Sequence, residues 1–181
     1  MGSSRGISRG PGAATHGLTI GEIDGLAEPA AVAALAPLFE GASGFLRRLV
    51  AERPFGSWDR LFARAEAVAL AMPEDEQLAL IDAHPRLGAP PASVSQMSFA
   101  EQGYDRDTTD AIEELDRLNR AYEARFGFRY CVFVAGRSRA ELVPEMRVRL
   151  EAEREPERER ALRDVVAIAR DRHRTLLEGQ P

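Results

Sequence analysis

The sequence predicts an all-α fold, a single-domain bundle of about eight helices. Apolar residues recur every three or four positions along most of the chain, the spacing that gives a helix one buried face. Proline or serine stands where such segments begin, and glycine or proline stands where they end. The chain has 181 residues, 44% of them hydrophobic, which suffices for one core. We therefore expect a helical domain over residues 19–181, after a disordered tail over residues 1–18 that is rich in Gly, Ser and Ala.

Four helices are predicted in the first half of this domain. Pro29 can open the first, because proline is tolerated in the first helical turn. Gly44–Glu52 is a short second helix, followed by an Arg-Pro-Phe-Gly turn. Ser57 is a candidate N-cap for the third helix, Trp58–Ala71. Pro73 opens the fourth and is followed by three acidic residues, which suit the positive end of the helix dipole.

The sequence of the second half predicts three more helices and contains one segment whose structure the pattern leaves open. Thr108–Arg125 has helical spacing, and Gly127 can end this helix in a left-handed conformation. Residues 128–134 are apolar and partly β-branched, which fits either a strand or a buried helical turn. Residues 138–141 have the Ser-x-x-Glu pattern of a capping box and open the next helix. The last helix begins near Pro156.

Composition restricts the possible environment and partners of the chain. The net charge of -5 argues against nucleic-acid binding as the main task. The chain lacks a run of about 18 apolar residues, so we expect no membrane span. It also lacks the apolar core of a secretion signal, and its single cysteine, Cys131, cannot form an internal disulfide. We therefore expect a cytoplasmic protein.

All 24 basic residues are arginines, and the chain contains no lysine. Schiff-base chemistry needs a side-chain amine, so an aldolase-type lysine and lysine-anchored pyridoxal phosphate are excluded. Arginine remains available to bind carboxylates through paired hydrogen bonds.

His84 is the first candidate for proton transfer. It precedes Pro85 at the predicted end of a helix, beside a loop over residues 88–93. An imidazole in this place can reach into a cleft from a rigid support, and its ordinary pKa suits proton transfer near neutral pH. Alternatively, His84 only bonds the last carbonyls of its helix. Its position alone leaves both interpretations open.

Two further motifs carry candidate residues. Ser98 and Glu101 fit a capping box, which either only stabilises a helix or also directs its N-terminal amides at an anionic ligand. Arg137 follows the apolar run and precedes a predicted helix start. It is either an ordinary loop arginine or a carboxylate-binding group at that helix end.

Seven short motifs, in one order, resemble those of the OHCU (2-oxo-4-hydroxy-4-carboxy-5-ureidoimidazoline) decarboxylase family. The resemblance covers residues 18–178, and the order of the motifs carries it because each is short by itself. The motifs are Phe39-Glu40, Arg53-Pro54-Phe55, His84-Pro85, Ser98 with Glu101-Gln102, Leu118-Asn119 with Tyr122, Phe126-Gly127-Phe128 and Gly136-Arg137-Ser138.

Three segments depart from the family pattern. Residues 42–45 replace a Ser-Pro-Trp segment, and residues 151–152 replace an asparagine. Residues 103–107 replace a small apolar segment beside the candidate site. This last departure leaves the precise substrate open.

The resemblance implies an all-helical enzyme that works without a cofactor and converts OHCU to S-allantoin and CO2. Such a reaction needs a proton donor, a group that fixes the donor, and hydrogen-bond donors for anionic oxygens. By resemblance, His84, Glu101 and Arg137 are the catalytic residues. The residues expected to line the substrate are Pro85, Ser98, Gln102, Tyr130, Cys131, Val132, Phe133 and Val134.

The expected partner is a small ureidoimidazoline substrate, and the resemblance also implies a homodimer. We expect no metal, because the three histidines lack the spacing of a ligand cluster. Two alternatives remain at this point: an enzyme for a related ureide on the same scaffold, and a non-enzymatic helical interaction module.

Overall fold

A computed structural model of the chain describes residues 18–89 and 109–178, and these residues form helices without any strand. The predicted all-α fold is therefore confirmed. None of the helices in these two ranges has both the length and the apolar character needed to cross a membrane. The α-helices, named α1 to α8 in chain order, are Ile20–Gly25, Glu28–Leu35, Ser43–Ala51, Trp58–Ala71, Glu74–Asp82, Thr109–Phe126, Arg139–Arg149 and Arg154–Glu178, and a 3₁₀-helix over Ala36–Phe39 follows α2.

Short-range signals set several helix ends, as predicted. Ser57 caps α4, because its hydroxyl accepts a hydrogen bond from the Arg60 backbone N–H at 3.2 Å. Ser138 and Glu141 form the predicted capping box at the start of α7. Gly127 follows α6 with a φ of 79°, the left-handed conformation that glycine adopts at little cost.

Three local features differ from the predictions. Helix α1 was not predicted, although Thr19 and Glu22 form a complete capping box at its start. The last helix begins at Arg154, two residues before Pro156. Residues 128–134 are neither strand nor helix, but an irregular segment between α6 and α7. The spacing of apolar residues could not decide this, because the partners of that backbone are side chains of Asp82, Arg137 and Arg160 and not a neighbouring strand.

The predicted N-terminal tail lies almost wholly outside the described residues. Its last residue, Leu18, is half-buried and packs against the core. Leu18, predicted as the last residue of the tail, is therefore part of the packed helical domain.

Helix α8 joins the two halves of the chain in the core. It packs against the 3₁₀-helix, α4 and α5, while α6 packs against α7. One face of α8 is buried along most of its length, as an amphipathic helix requires. The buried residues on this helix are Glu157, Ala161, Leu162, Val165, Val166, Ile168, Ala169 and Arg172.

The Arg-Pro-Phe-Gly turn fastens α1 to the rest of the domain. The Arg53 guanidinium donates to the backbone carbonyl of Leu26 at 2.6 Å. In return, the Asp24 carboxylate accepts the backbone N–H groups of Phe55 and Gly56, both at 2.9 Å. These contacts give the motif a structural role, because they satisfy polar groups at the end of a six-residue helix.

Candidate active site

His84 lies just beyond the last turn of α5 and is 3% exposed. Its Nδ1 atom is 3.4 Å from the Leu80 carbonyl oxygen, a long contact that favours the tautomer with hydrogen on Nδ1. In that tautomer Nε2 carries a lone pair, and this buried atom has no hydrogen-bond partner among the residues that the structure describes. The ring therefore presents an unsatisfied acceptor.

Arg172 brings a buried positive charge close to this histidine. It comes from the interior face of α8 and is 2% exposed. Its Nη2 atom donates to the Glu40 carboxylate at 2.7 Å. Its Nη1 atom also donates to the backbone carbonyls of Pro37 and Leu38, at 3.3 and 3.4 Å. The guanidinium is thus held at the C-terminal end of the 3₁₀-helix, where carbonyl dipoles favour a cation.

Glu40 reaches Arg172 from a left-handed backbone conformation. Its φ and ψ are 49° and 32°, and it ends the 3₁₀-helix. For a residue with a Cβ atom this conformation costs roughly 1–2 kcal/mol. A left-handed residue here turns the chain sharply, and the Glu40 side chain is left beside the buried guanidinium.

These charges and the burial keep His84 neutral. The pKa of His84 is lowered to about 4, mainly by burial and further by the positive charge of Arg172. The Glu40 carboxylate opposes this and raises the pKa, as does the contact with the Leu80 carbonyl. At neutral pH the site therefore holds an uncharged imidazole beside an ion-paired guanidinium.

Arg129 ties the backbone of His84 to the segment after α6. Its Nη1 atom donates to the carbonyl oxygens of Asp82 at 2.7 Å and of His84 at 3.0 Å. Its backbone N–H donates to the Asp82 carboxylate at 2.9 Å. The part of the irregular segment that follows Arg129 is thereby brought next to the backbone of His84.

A cavity of about 520 Å³ opens beside Pro85 and the loop that follows it. The Asn119 side chain closes one side, where its Nδ2 donates to the Leu87 carbonyl at 2.9 Å. The cavity is of the size that holds a small ligand. Its lining consists of Pro85, Arg86, Leu87, Gly88, Ala89, Glu113, Leu115, Asp116, Asn119 and Arg129.

Arginine side chains hold the backbone of the segment over residues 130–134. Arg160 donates to the Cys131 carbonyl at 3.0 Å. Arg137 donates to the carbonyls of Phe133 at 2.6 Å and Val134 at 3.0 Å. These bonds replace the ladder of a strand, since buried carbonyl groups need partners. Phe133 is half-buried, whereas Tyr130, Cys131, Val132 and Val134 are buried.

A buried ionic network of α8 and α6 side chains contacts this segment. Glu157 is 1% exposed and accepts hydrogen bonds from the Tyr122 hydroxyl at 2.8 Å and from Arg160 at 2.9 Å. Arg160 also pairs with Asp164 at 2.5 Å, and its guanidinium lies 5.2 Å from the centre of the Tyr130 ring. Burial raises the pKa of the Asp164 carboxyl, and the Arg160 charge opposes that rise.

Arg137, one of the predicted catalytic residues, has contacts mainly within its own loop. Besides the two carbonyls, it pairs with Glu145 of α7 at 2.5 Å. Its side chain is 38% exposed. No hydrogen bond or ion pair joins it to His84 among the described residues. Three further predicted site residues, Ser98, Glu101 and Gln102, lie outside the described part of the chain.

Sequence reasoning missed Arg172 and Glu40. A helix with as many arginines and glutamates as residues 154–178 is typically interpreted as having a solvated charged face. However, the apolar residues Val165, Ala169 and Leu176 leave a gap in their stripe at position 172. An arginine inside such a stripe was the available signal, because a buried charge needs a partner and is uncommon without a role.

The fold and the cluster of His84, Arg172 and Glu40 define a class of protein. It is a small all-α domain that holds a neutral buried histidine beside an arginine–glutamate pair. Residues 24–174 match the model of the OHCU decarboxylase family, and the chain belongs to this family. The sequence-based identification of the family is thus confirmed.

Several characterised relatives share part of this sequence. The uric acid degradation bifunctional protein PucL of Bacillus subtilis is 36% identical over 141 residues, which are 76% of this chain and 28% of that protein. A bifunctional uric acid degradation protein of Bacillus sp. TB-90 is 30% identical over 75% of this chain and 27% of its own length. The chain thus spans little more than a quarter of these two relatives. The 2-oxo-4-hydroxy-4-carboxy-5-ureidoimidazoline decarboxylase of Haloferax volcanii is 29% identical over 85% of this chain and 93% of that protein.

Solved structures show the same fold. A crystal structure of (S)-allantoin synthase superposes with a TM-score of 0.65 at 20% identity, over 89% of this chain and 54% of that chain. A crystal structure of OHCU decarboxylase in the presence of (S)-allantoin also gives 0.65, at 22% identity, over 79% of this chain and 96% of that chain.

The depressed pKa of His84 predicts a pH-dependent stability. The unfolded chain binds a proton to this histidine below pH 6.5, but the folded chain does so only near pH 4, so stability is full above pH 6.5 and falls with the pH below it. Between pH 6.5 and 4, the wild type should lose about 3 kcal/mol relative to His84→Gln. Urea unfolding of both proteins across this range measures the difference, in which the other titrating groups cancel. A difference that is constant with pH would contradict the prediction.

Proposed function

We propose that this protein decarboxylates OHCU to S-allantoin and CO2 in urate degradation. The observation that carries the proposal is the neutral, buried His84, with an open Nε2 acceptor beside Arg172, in a chain of the OHCU decarboxylase family. The names of the relatives support it, since they describe uric acid degradation and this decarboxylation.

In the proposed reaction, the bond between the ring carbon and the carboxylate breaks and its electron pair stays on the substrate. That negative charge has to be delocalised, stabilised by hydrogen-bond donors and quenched by a proton delivered from one face. His84 is uncharged at neutral pH, so it takes up a proton before it can give one. The electron pair moves into the ring C=N bond next to the carbon that lost CO2. We infer that Nε2 accepts this proton from the hydroxyl group on that carbon, which becomes a carbonyl, and delivers it to the neighbouring ring carbon that carries the ureido group. The ring nitrogen that received the electron pair takes its proton from solvent.

We assign one arginine to the substrate carboxylate and another to the negative charge that remains after CO2 has left. Arg137 is proposed to bind the substrate carboxylate, because guanidinium and carboxylate groups match in shape and charge. Arg172 is proposed to face the charge that develops after CO2 has left, since it is the buried cation that acts on His84. Glu101 is proposed to orient His84. Pro85, Ser98, Gln102 and residues 130–134 are proposed to line the substrate.

We further propose a cytoplasmic homodimer that needs neither metal nor organic cofactor. The absence of lysine from the whole sequence supports the second part, because it removes Schiff-base chemistry from the possible mechanisms.

Stereochemistry tests the proposed function. Freshly generated OHCU incubated with the protein should give S-allantoin in excess, because a protein site delivers the proton to one face. Circular dichroism of the product measures its handedness, and His84→Asn should reduce the enzymatic rate by about two to four orders of magnitude. A racemic product formed at the spontaneous rate would refute the proposal.

Glutamine at position 101 separates the two roles of Glu101. Glutamine serves a capping box as well as glutamate does, so Glu101→Gln should leave the melting temperature nearly unchanged. If the carboxylate orients His84, the same variant should lose turnover strongly. Full activity in Glu101→Gln, together with a destabilised Glu101→Ala, would reduce this residue to a helix cap.

A lysine substitution distinguishes a substrate-binding role of Arg137 from a role in support of the fold. Arg137→Lys keeps the charge but loses the planar fork, and we expect roughly a 10- to 100-fold loss of kcat/KM, because a hydrogen bond to a charged group contributes about 1.5–3 kcal/mol. Arg147→Lys is the matched control, since Arg147 forms an exposed pair with Glu114. A lower melting temperature with unchanged turnover per folded molecule would make Arg137 purely structural.

A further inference from the structure

The strained residue Glu40 lies within the cluster around His84 but has no place in the proposed reaction. We propose that Glu40 is a positioning residue: its carboxylate fixes the Arg172 guanidinium in the place where it acts on His84. This inference rests on the proposed function, because it assigns Glu40 to that same site.

Of the contacts that Arg172 makes at the end of the 3₁₀-helix, the bond to Glu40 is the strongest. The bond to the Glu40 carboxylate is 2.7 Å long, whereas the bonds to the carbonyls of Pro37 and Leu38 are 3.3 and 3.4 Å. A bond between two charged groups is also the stronger kind. The arginine side chain is long and flexible, so a bond between its Nη2 atom and a carboxylate restricts where the guanidinium lies.

Burial makes this pair different from the surface pairs of α8. The Arg172 and Glu40 side chains are 1% and 13% exposed. By contrast, Arg154 and Arg158 fasten the start of α8 to α5 through Glu74, whose side chain is 49% exposed. Attachment of α8 is therefore already provided elsewhere, and the buried pair is placed where its field reaches His84.

The backbone at position 40 supports the same conclusion. Glu40 has a φ of 49°, and Gly41 after it has a φ of 72°. Glycine would adopt the first of these conformations without strain, and strained residues cluster at functional sites. A glutamate in this place provides a carboxylate that glycine would not.

Among the described residues, the charged groups that act on His84 are Arg172 from α8 and Glu40 from the end of the 3₁₀-helix. The uncharged Leu80 carbonyl of α5 and the Arg129 bond to the His84 carbonyl complete its surroundings. The charge of Arg172 lowers the pKa of His84 more than the charge of Glu40 raises it, so displacement of the guanidinium in a protein without the Glu40 carboxylate raises this pKa.

Glu40→Gln tests this inference, because glutamine keeps the size and one acceptor oxygen but removes the charge. We expect at least a tenfold loss of kcat and a His84 pKa above that of the wild type, because a guanidinium that Glu40 no longer holds in place lowers this pKa less. The pKa is measured by NMR titration of the imidazole, with His84→Gln as the assignment control. A pKa below that of the wild type would mean that Arg172 keeps its place without Glu40, and it would overturn the inference. Glu40→Asp, which keeps the charge, should restore the pKa in part. Glu74→Gln is the matched control and should change neither quantity, since Glu74 lies at the opposite end of α5.

The two measurements separate failure of the inference from failure of the proposed function. A wild type that yields only racemic allantoin refutes the function, while the NMR titration still decides whether Glu40 acts on His84. An unchanged His84 pKa and an unchanged rate in a folded Glu40→Gln protein would overturn the inference. If Glu40→Gln does not fold, Glu40→Asp decides in its place: a rate and a His84 pKa equal to those of the wild type would overturn the inference, and intermediate values would support it.

Discussion

The burial of Arg172 on the inner face of the last helix is the constraint on which the rest of the site depends. A buried guanidinium is tolerated only when charge and hydrogen bonds compensate the loss of water. Here the end of the 3₁₀-helix supplies two carbonyls and the Glu40 carboxylate. This requirement accounts for the packing of α8 against the 3₁₀-helix and for a strained backbone at Glu40. It also places a positive charge beside His84, and this charge adds to the effect of burial, which is the main cause of the lowered His84 pKa.

Arginine provides the same kind of support where the chain has no regular structure. The segment over residues 130–134 contains mostly buried side chains, yet its carbonyls cannot join a strand ladder. Arg160 and Arg137 donate to three of these carbonyls, and Arg129 joins the preceding turn to His84. A guanidinium has five N–H donors, so one side chain can serve a carbonyl and a carboxylate together. A chain with arginine as its only basic residue is well suited to this arrangement.

The sequence indicated the part of the candidate site whose signal is local and missed the part whose signal is not. His84 was found because a histidine before a proline, at a helix end, is visible in two adjacent letters. Arg172 and Glu40 are 132 residues apart, and neither segment indicates that these two side chains meet. Arg137 was predicted from its place before a capping box, and its contacts with Phe133, Val134 and Glu145 could not be derived from that place. Its catalytic role, like that of Glu101, stays a prediction.

The sequence by itself determined the all-α class, the family, most helix ends and the exclusion of lysine chemistry, because these depend on spacing, on caps or on composition. Even the missed α1 had its signal in the sequence, in the capping pair Thr19 and Glu22. Only the tertiary structure decided that residues 128–134 are irregular. It also decided that Arg172 does not belong to the solvated face of α8, but is buried and paired with Glu40 beside His84. The physical reason is that burial and charge pairing depend on which distant segments meet. A pattern within one helix records the need for a buried face, but it does not specify the partner that a buried charge will find there.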